Sequence, residues 1–197
     1  MTMPLRLGTR GSALALAQSQ LVADELKRAA GVEVELVVIR TVGDVTPGPL
    51  SVMKQPGVFV SALRDALIAG EVDFVVHSMK DLPSAQPFGV AIAAVPRRAD
   101  AHDALVANQR TGLAGLPSGA RVGTSSPRRA ARLLARRPDL AVVDIRGNVD
   151  TRIEKVRSGE YDAAVLAVAG LSRLGRSSEI DEIIDMSTML PAPAQGA

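Results

Sequence analysis

Apolar residues in this chain fall into short unbroken runs separated by longer stretches of helical period, the pattern of alternating strands and helices. Leu5-Arg-Leu-Gly8 opens with a strand and breaks at Thr9-Arg-Gly-Ser12. Ala13 to Ala30 then predicts a helix, with Ser12 as N-cap, Leu14, Ala17, Leu21 and Leu26 as its apolar stripe, and Gly31 as its stop. Val34 to Ile39 reads as a buried strand leading into Arg40-Thr-Val-Gly-Asp44. Residues 45–57 carry prolines and glycines without period and read as a mobile loop. Val58 to Ala69 predicts a second helix, with Phe59, Leu63, Ala66 and Leu67 on one side. Phe74 to Val76 and Val90 to Val95 are further strands, and Pro96 to Asp103 is a crossing segment. Beyond it, Ala104 to Val106 is extended, and Ala120 to Pro127 is a strand and turn that opens a helix over Arg128 to Arg137, with Pro127 in the first turn. Leu140 to Ile145 is a strand, Thr151-Arg-Ile-Glu154 a capping box, and Tyr161 to Val168 another buried strand.

The order hides a duplication. Arg6-Leu-Gly-Thr-Arg-Gly-Ser12 echoes Arg121-Val-Gly-Thr-Ser-Ser126, and Val37 to Asp44 echoes Val143 to Asp150. Gly70-Glu-Val-Asp-Phe-Val-Val76 echoes Gly159-Glu-Tyr-Asp-Ala-Ala-Val165. Matched pieces in one order imply two α/β domains of one plan, residues 1–97 and 98–190, with 191–197 returning to the first. Strand-to-helix turns at the carboxyl edge of each sheet would then face a shared cleft.

Composition narrows the chemistry. The 23 basic and 21 acidic residues leave a net charge of +2, too even for a general nucleic-acid binder. The 197 residues contain no cysteine and two histidines, so thiolate chemistry is excluded and no metal site is expected. No apolar run approaches a membrane span and no secretory h-region opens the chain, which points to a cytoplasmic protein that binds neither membrane nor nucleic acid. Nucleotide-binding glycine loops and the nucleophile elbow are absent.

The stretch Gly70 to Pro83 is where chemistry concentrates: a short buried strand releases His77, Ser78, Lys80 and Asp81 at its carboxyl end. Asp81 reads equally as a turn cap or a catalytic acid, and His77 as a satisfied core histidine or a site residue. Arginines stand at the strand-to-helix turns: Arg10, Arg128, Arg129, Arg146 and Arg152, with Arg40 as the counterpart of Arg146. Guanidinium forks at helix N-termini suit a ligand bearing several carboxylates. Arg132 and Arg136 read as a solvated helix face. From residues alone, the expectation is a protein closing on a small polycarboxylate with one candidate acid.

Leu7-Gly-Thr-Arg-Gly-Ser12, Val76-His-Ser-Met-Lys-Asp-Leu-Pro83, Val122-Gly-Thr-Ser-Ser-Pro-Arg-Arg129, Ile145-Arg-Gly-Asn148 and Pro191-Ala-Pro-Ala-Gln-Gly-Ala197 together resemble the hydroxymethylbilane synthase (porphobilinogen deaminase) family. The resemblance implies a transferase of haem and tetrapyrrole biosynthesis that joins four porphobilinogen molecules head to tail with loss of ammonia. It implies a periplasmic-binding-protein-like α/β fold of two similar domains with mixed, mostly parallel sheets, and a monomer. Asp81 would be the catalytic acid that stabilises the azafulvene cation. Arg10, Ser12, Gln18, Phe59, Arg128, Arg129, Arg146 and Arg152 would bind substrate. Ser78, Lys80, Asp81, Thr124, Ser125, Ser126, Arg128, Arg129, Arg146 and Gly147 would hold a dipyrromethane cofactor.

The likeness has departures. The family's third domain carries the cysteine that anchors dipyrromethane, and neither is expected within these residues, so little or no turnover is expected of the 197 residues alone. Lys54 sits differently from the lysines of relatives, and Ala194 stands where glycine is common. The alternative from another class is a non-catalytic two-domain module that binds a small polycarboxylate.

Overall fold

The computed structural model describes residues 3–39, 58–85 and 87–197, without the side chains of Val58 and Phe59. The chain divides into two compact units, Met1–Arg97 and Arg98–Ala197.

The first unit is a parallel sheet of order β2-β1-β3, built from β1 (Leu5–Thr9), β2 (Val34–Val38) and β3 (Phe74–Val75). Helix α1 (Ala13–Ala30) connects β1 to β2, and α2 (Val58–Ile68) precedes β3. Ser12 caps α1 by accepting from the Ala15 N–H at 3.3 Å, and the Gly31 N–H closes it on the Lys27 carbonyl. The buried face of α1 runs through Ser19 and Ala23, whereas Leu21 of the expected stripe is 55% exposed. A polar contact explains the shift: buried Ser19 donates to buried Thr9 Oγ1 at 2.7 Å, docking the helix on the end of β1. Leu7, Val60, Leu63, Ala66 and Val72 are the buried apolar residues beneath α2 and the sheet.

The expected strand over Val90–Val95 does not form, and residues 90–100 carry no regular element. A run of β-branched residues becomes a strand only where a neighbouring edge offers a ladder. Here Ile92 and Val95 are exposed instead.

The second unit holds a five-stranded sheet of order β6-β5-β7-β4-β8. Its strands are β4 (Asp103–Ala107), β5 (Arg121–Gly123), β6 (Ala141–Val143), β7 (Ala163–Ala167) and β8 (Glu182–Ile184). β5 pairs parallel with β6 and β7, while β4 runs antiparallel to β7 and β8, so the sheet is mixed. Helices α3 (Pro127–Arg136), α4 (Val149–Arg157) and α5 (Val168–Arg173) accompany it. One apolar cluster joins Leu105, Val122, Leu133 and Met189, and another joins Val106, Ile145, Val156 and Leu171. The expected capping box at Thr151–Glu154 is displaced by three residues. Asn148 is the N-cap of α4, accepting from the Thr151 N–H at 2.9 Å.

The duplication read in the sequence is present in the ladders. Gly8 stands opposite Val37 and Val75, and Gly123 stands opposite Val143 and Ala164, the positions paired by the repeat. The strand entries repeat too. The Arg6 N–H donates to Asp73 Oδ2 at 2.7 Å, and the Arg121 N–H donates to Asp162 Oδ2 at 2.7 Å. A Cβ on Gly8 would lie 3.1 Å from the methyls of Val72 and Val75, and one on Gly123 would lie 2.9 Å from Ile145. Both strands need glycine for close packing.

Residues 191–197, expected to return to the first unit, make their described hydrogen bonds within the second. Arg98 Nε donates to the Gln195 carbonyl at 2.9 Å, and Arg173 Nη2 and the Ala99 N–H donate to the Gly196 carbonyl.

Candidate functional site

In the first unit, the β1–α1 turn and the segment after β3 present the candidate side chains. Thr9 is buried at the end of β1, Arg10 is partly buried, and Ser12 spends its hydroxyl oxygen on the helix cap. Gln18, on α1, exchanges hydrogen bonds with Ser78: its Nε2 donates to Ser78 Oγ at 3.1 Å, and the hydroxyl donates to Gln18 Oε1 at 3.2 Å. This pair fixes the segment after β3 against the helix.

From Ser78 the backbone turns through a single 3-10 helix, Met79–Asp81, closed by the Asp81 N–H on the Ser78 carbonyl at 2.9 Å. The turn leaves Lys80 and Asp81 exposed, and Leu82 begins extended backbone before Pro83. His77 is half-buried, and its Nε2 is buried with no hydrogen-bond partner among the described residues. Burial lowers the His77 pKa; the Asp81 carboxylate opposes that shift and the Arg10 guanidinium adds to it. His77 is therefore within electrostatic reach of both Arg10 and Asp81. Arg40, the loop 45–57 with Lys54, and the Phe59 side chain lie outside the described residues.

In the second unit, the β5–α3 turn carries Thr124, Ser125 and Ser126. Much of its expected anion-binding capacity is already used internally. Ser126 Oγ caps the Arg129 N–H at 3.5 Å, Thr124 Oγ1 accepts from the Ser126 N–H at 3.2 Å, and Ser125 Oγ donates to the Ile145 carbonyl.

Arg128 and Arg129, the second and third residues of α3, share a buried partner that the sequence placed in a crossing segment. Asp103, the first residue of β4, has no exposed surface. Its Oδ2 accepts from Arg128 Nη2 at 2.7 Å, and its Oδ1 accepts from Arg129 Nη2 at 2.6 Å and from Gln195 Nε2 at 2.8 Å. Arg128 Nη1 also donates to the Leu190 carbonyl, and Arg129 Nη1 donates to the Val165 carbonyl at 3.0 Å. Burial favours the protonated acid, but the bonds and charges of Arg129, Arg128 and Gln195 outweigh it and hold the carboxyl below its ordinary range. Arg129 is buried, and its Nε lacks a partner among the described residues.

After β6, Arg146 Nε donates to Asp144 Oδ2 at 2.8 Å, a second carboxylate partner that spacing did not reveal. Arg152 Nε donates to the Gly147 carbonyl at 2.9 Å. Burial, with the nearby charges of Arg129 and Arg146, lowers the Arg152 pKa, while Asp144 works the other way. Gly147 takes φ of +110°, and a Cβ there would lie 2.6 Å from Thr151. Arg132, expected on a solvated face, donates to the Thr188 and Ser187 carbonyls; Arg136 is exposed. Ala194 holds φ of +58°, a conformation that glycine adopts more readily. Among the described residues no cluster of potential metal ligands occurs.

The arrangement thus places an exposed acid and a cation in the first unit. In the second unit it places a group of guanidiniums held by carboxylates. Such groups can receive carboxylates and stabilise a developing positive charge.

Solved structures with this fold include a periplasmic substrate-binding protein of an ABC transporter from Coxiella burnetii, with TM-score 0.53 and 16% identity over 96% of this chain and 81% of that one. They also include the methionine-binding protein MetQ, with TM-score 0.54 and 15% identity over 92% of this chain and 78% of that one. At such identity the likeness establishes the periplasmic-binding-protein-like fold alone. A porphobilinogen deaminase from Thermobifida fusca is 56% identical over 196 residues, covering 100% of this chain and 61% of the relative. One from Acidothermus cellulolyticus is 57% identical over 194 residues, covering 98% and 58%. The chain thus spans about three fifths of the length of these curated relatives. Residues 5–197 match the family model described as "Porphobilinogen deaminase, dipyromethane cofactor binding domain", and the chain belongs to that family.

Proposed function

We propose that this chain forms the catalytic and cofactor-binding part of a hydroxymethylbilane synthase, a deaminating transferase that joins four porphobilinogen molecules head to tail into a linear tetrapyrrole. The observation that carries the reading is the Met79–Asp81 turn. It presents one exposed carboxylate after β3, within charge reach of His77, whose pKa is lowered by burial and by Arg10.

Asp81 accepts pyrrole N–H groups and stabilises the cation left when the aminomethyl group loses ammonia, an electrostatic role suited to a preorganised carboxylate. Arg10, Arg128 and Arg146 receive acetate and propionate groups, and Arg152 orients the Gly147 backbone. Arg129, whose Nη groups are both engaged internally, acts through its neighbours. Ser12 and Gln18 brace the first turn, and Phe59 is assigned to substrate binding on the family resemblance alone.

For a dipyrromethane, each unit offers groups of suitable chemistry: Ser78, Lys80 and the Asp81 carboxylate in the first, and Arg128, Arg146 and the turn Thr124–Ser126 in the second, cations and hydroxyls for its carboxylates and a carboxylate for its pyrrole N–H groups. When bound, that group supplies the primer to which porphobilinogen is added. These 197 residues contain no cysteine, so a thioether anchor is not among them. No described helix is long and apolar enough to cross a membrane. A monomeric cytoplasmic enzyme is the accompanying proposal.

The test is incubation with porphobilinogen of the protein extended by the cysteine-bearing domain that the family resemblance implies. Release of one ammonia per porphobilinogen consumed, with a linear tetrapyrrole as product, supports the reading. Binding of porphobilinogen without ammonia release would favour the non-catalytic polycarboxylate module.

A further inference from the structure

A carboxylate removed wholly from water is costly unless its charge and lone pairs are met. Asp103 is such a group, and what meets it is unusual: two consecutive arginines of α3 and the side chain of Gln195. Gln195 is itself 1% exposed and also donates to the Ala101 carbonyl at 2.7 Å. One buried oxygen pair on β4 therefore fixes the first turn of α3 and the segment 190–197 together.

The two arginines differ in what remains available. The Arg129 side chain is 10% exposed, and both of its Nη atoms are committed inside the unit. The Arg128 side chain likewise donates from both Nη atoms, to Asp103 and to the Leu190 carbonyl, but at 25% exposed it is the one of the pair that a ligand can reach. Two guanidiniums against one carboxylate leave a net positive charge at this point, so the cluster can still attract an anion. A guanidinium held by its own carboxylate is also restricted in rotamer before any ligand arrives, and preorganisation of this kind reduces the entropy lost on binding.

We propose that Asp103 is a positioning residue for substrate. It holds the Arg128 guanidinium, with Arg129 as the inner brace and Gln195 as the second donor, in the orientation that receives a carboxylate of porphobilinogen. The inference rests on the synthase reading above and adds to it a residue that neither touches substrate nor reacts. A carboxylate that merely supported the fold would change stability and leave the kinetic constants of the folded enzyme unaltered. A carboxylate that competed with substrate for Arg128 would weaken binding, and its removal would lower KM.

The experiment compares steady-state porphobilinogen consumption by the parent protein, Asp103→Asn, Asp103→Glu and Gln195→Met. Circular dichroism establishes that each is folded at the assay temperature. Positioning predicts that Asp103→Asn raises KM about tenfold while kcat stays within about twofold, the pattern of lost uniform binding. Gln195→Met, which removes one donor without altering charge, should raise KM about two- to threefold, and Asp103→Glu should recover part of the loss. Should Asp103→Asn fail to fold, Gln195→Met carries the test by the same KM criterion. Parental KM in every folded variant, or a lowered KM, overturns the inference and leaves the synthase reading standing. Parent and variants all carry the cysteine-bearing domain, and a parent that then consumes no porphobilinogen overturns both.

Discussion

β3 and β7 are the same strand of the duplicated plan, paired in the same register with β1 and β5, yet they end differently. β3 stops at Val75 and gives way to His77, Ser78 and the Met79–Asp81 turn, with Lys80 and Asp81 exposed. β7 runs to Ala167 and passes directly into α5, whose Val168, Ala169, Gly170 and Leu171 are all buried. One copy of the strand end is polar and exposed, while the other is apolar and filled. Because the ladders and the Asp73 and Asp162 strand entries are preserved in both, the difference is not forced by the sheet. It lies in five or so residues after the strand, where an exposed polar turn is the placement expected of a ligand-facing segment.

The units also differ in how they use carboxylates. The second buries Asp103 under two arginines, whereas the paired carboxylates of the first, such as Asp73 with Arg6, are partly exposed. Asp103→Asn should therefore give the largest loss of stability, about 3–5 kcal/mol in urea unfolding at neutral pH, because one buried cation and one partly exposed cation lose their counter-charge. The pH dependence has a definite sign. Asp103 titrates below its ordinary 3.8 when folded, so its contribution is present above that value and fades as pH falls through the folded pKa. The variant should accordingly show a flatter acid limb. Equal stability in parent and variant would erase the contrast between the units.

A smaller effect tests the equivalence of the two central strands. Gly123→Ala forces a methyl to 2.9 Å from the β-branched Ile145 and 3.0 Å from the Tyr161 ring, and should cost about 1–3 kcal/mol. Gly8→Ala meets only valine methyls at 3.1 Å and should cost less, under about 1 kcal/mol. The reverse order would mean that the second core yields more readily than the first.

The smallest effect concerns His77. Its pKa is lowered by burial from the ordinary 6.5, so the unfolded chain binds more protons than the folded one just below that value. Stability contributed by keeping His77 neutral is complete above pH 6.5 and declines as pH falls toward the folded pKa. His77→Gln should remove that decline between pH 6.5 and 5, measured by thermal unfolding; an unchanged slope would assign it to other groups.

Much of this was legible in the chain. The repeat gave the register of the parallel ladders because Gly8 and Gly123 must face matching small or β-branched neighbours. Ser12 was readable as a cap because a hydroxyl before a helical run has a local partner. What depended on remote partners was not readable. Val90–Val95 has strand composition and no ladder, and β8 is a three-residue edge visible only once β4 is in place beside it. Asp103 could have been read as a strand start from the apolar run that follows it. Its capture of Arg128 and Arg129, 25 and 26 residues away, follows only from the fold. Reading Arg128 and Arg129 toward a ligand took no account of this internal partner.

The central claim is that the exposed carboxylate after β3 performs the chemistry. Porphobilinogen turnover by Asp81→Asn in a version carrying the cysteine-bearing domain, beside an unfolding curve of the same protein, tests it most directly. The account predicts a fall of about 10²-fold or more in kcat with the fold retained, the scale of losing one preorganised electrostatic group. Parental turnover by a folded Asp81→Asn protein would contradict it.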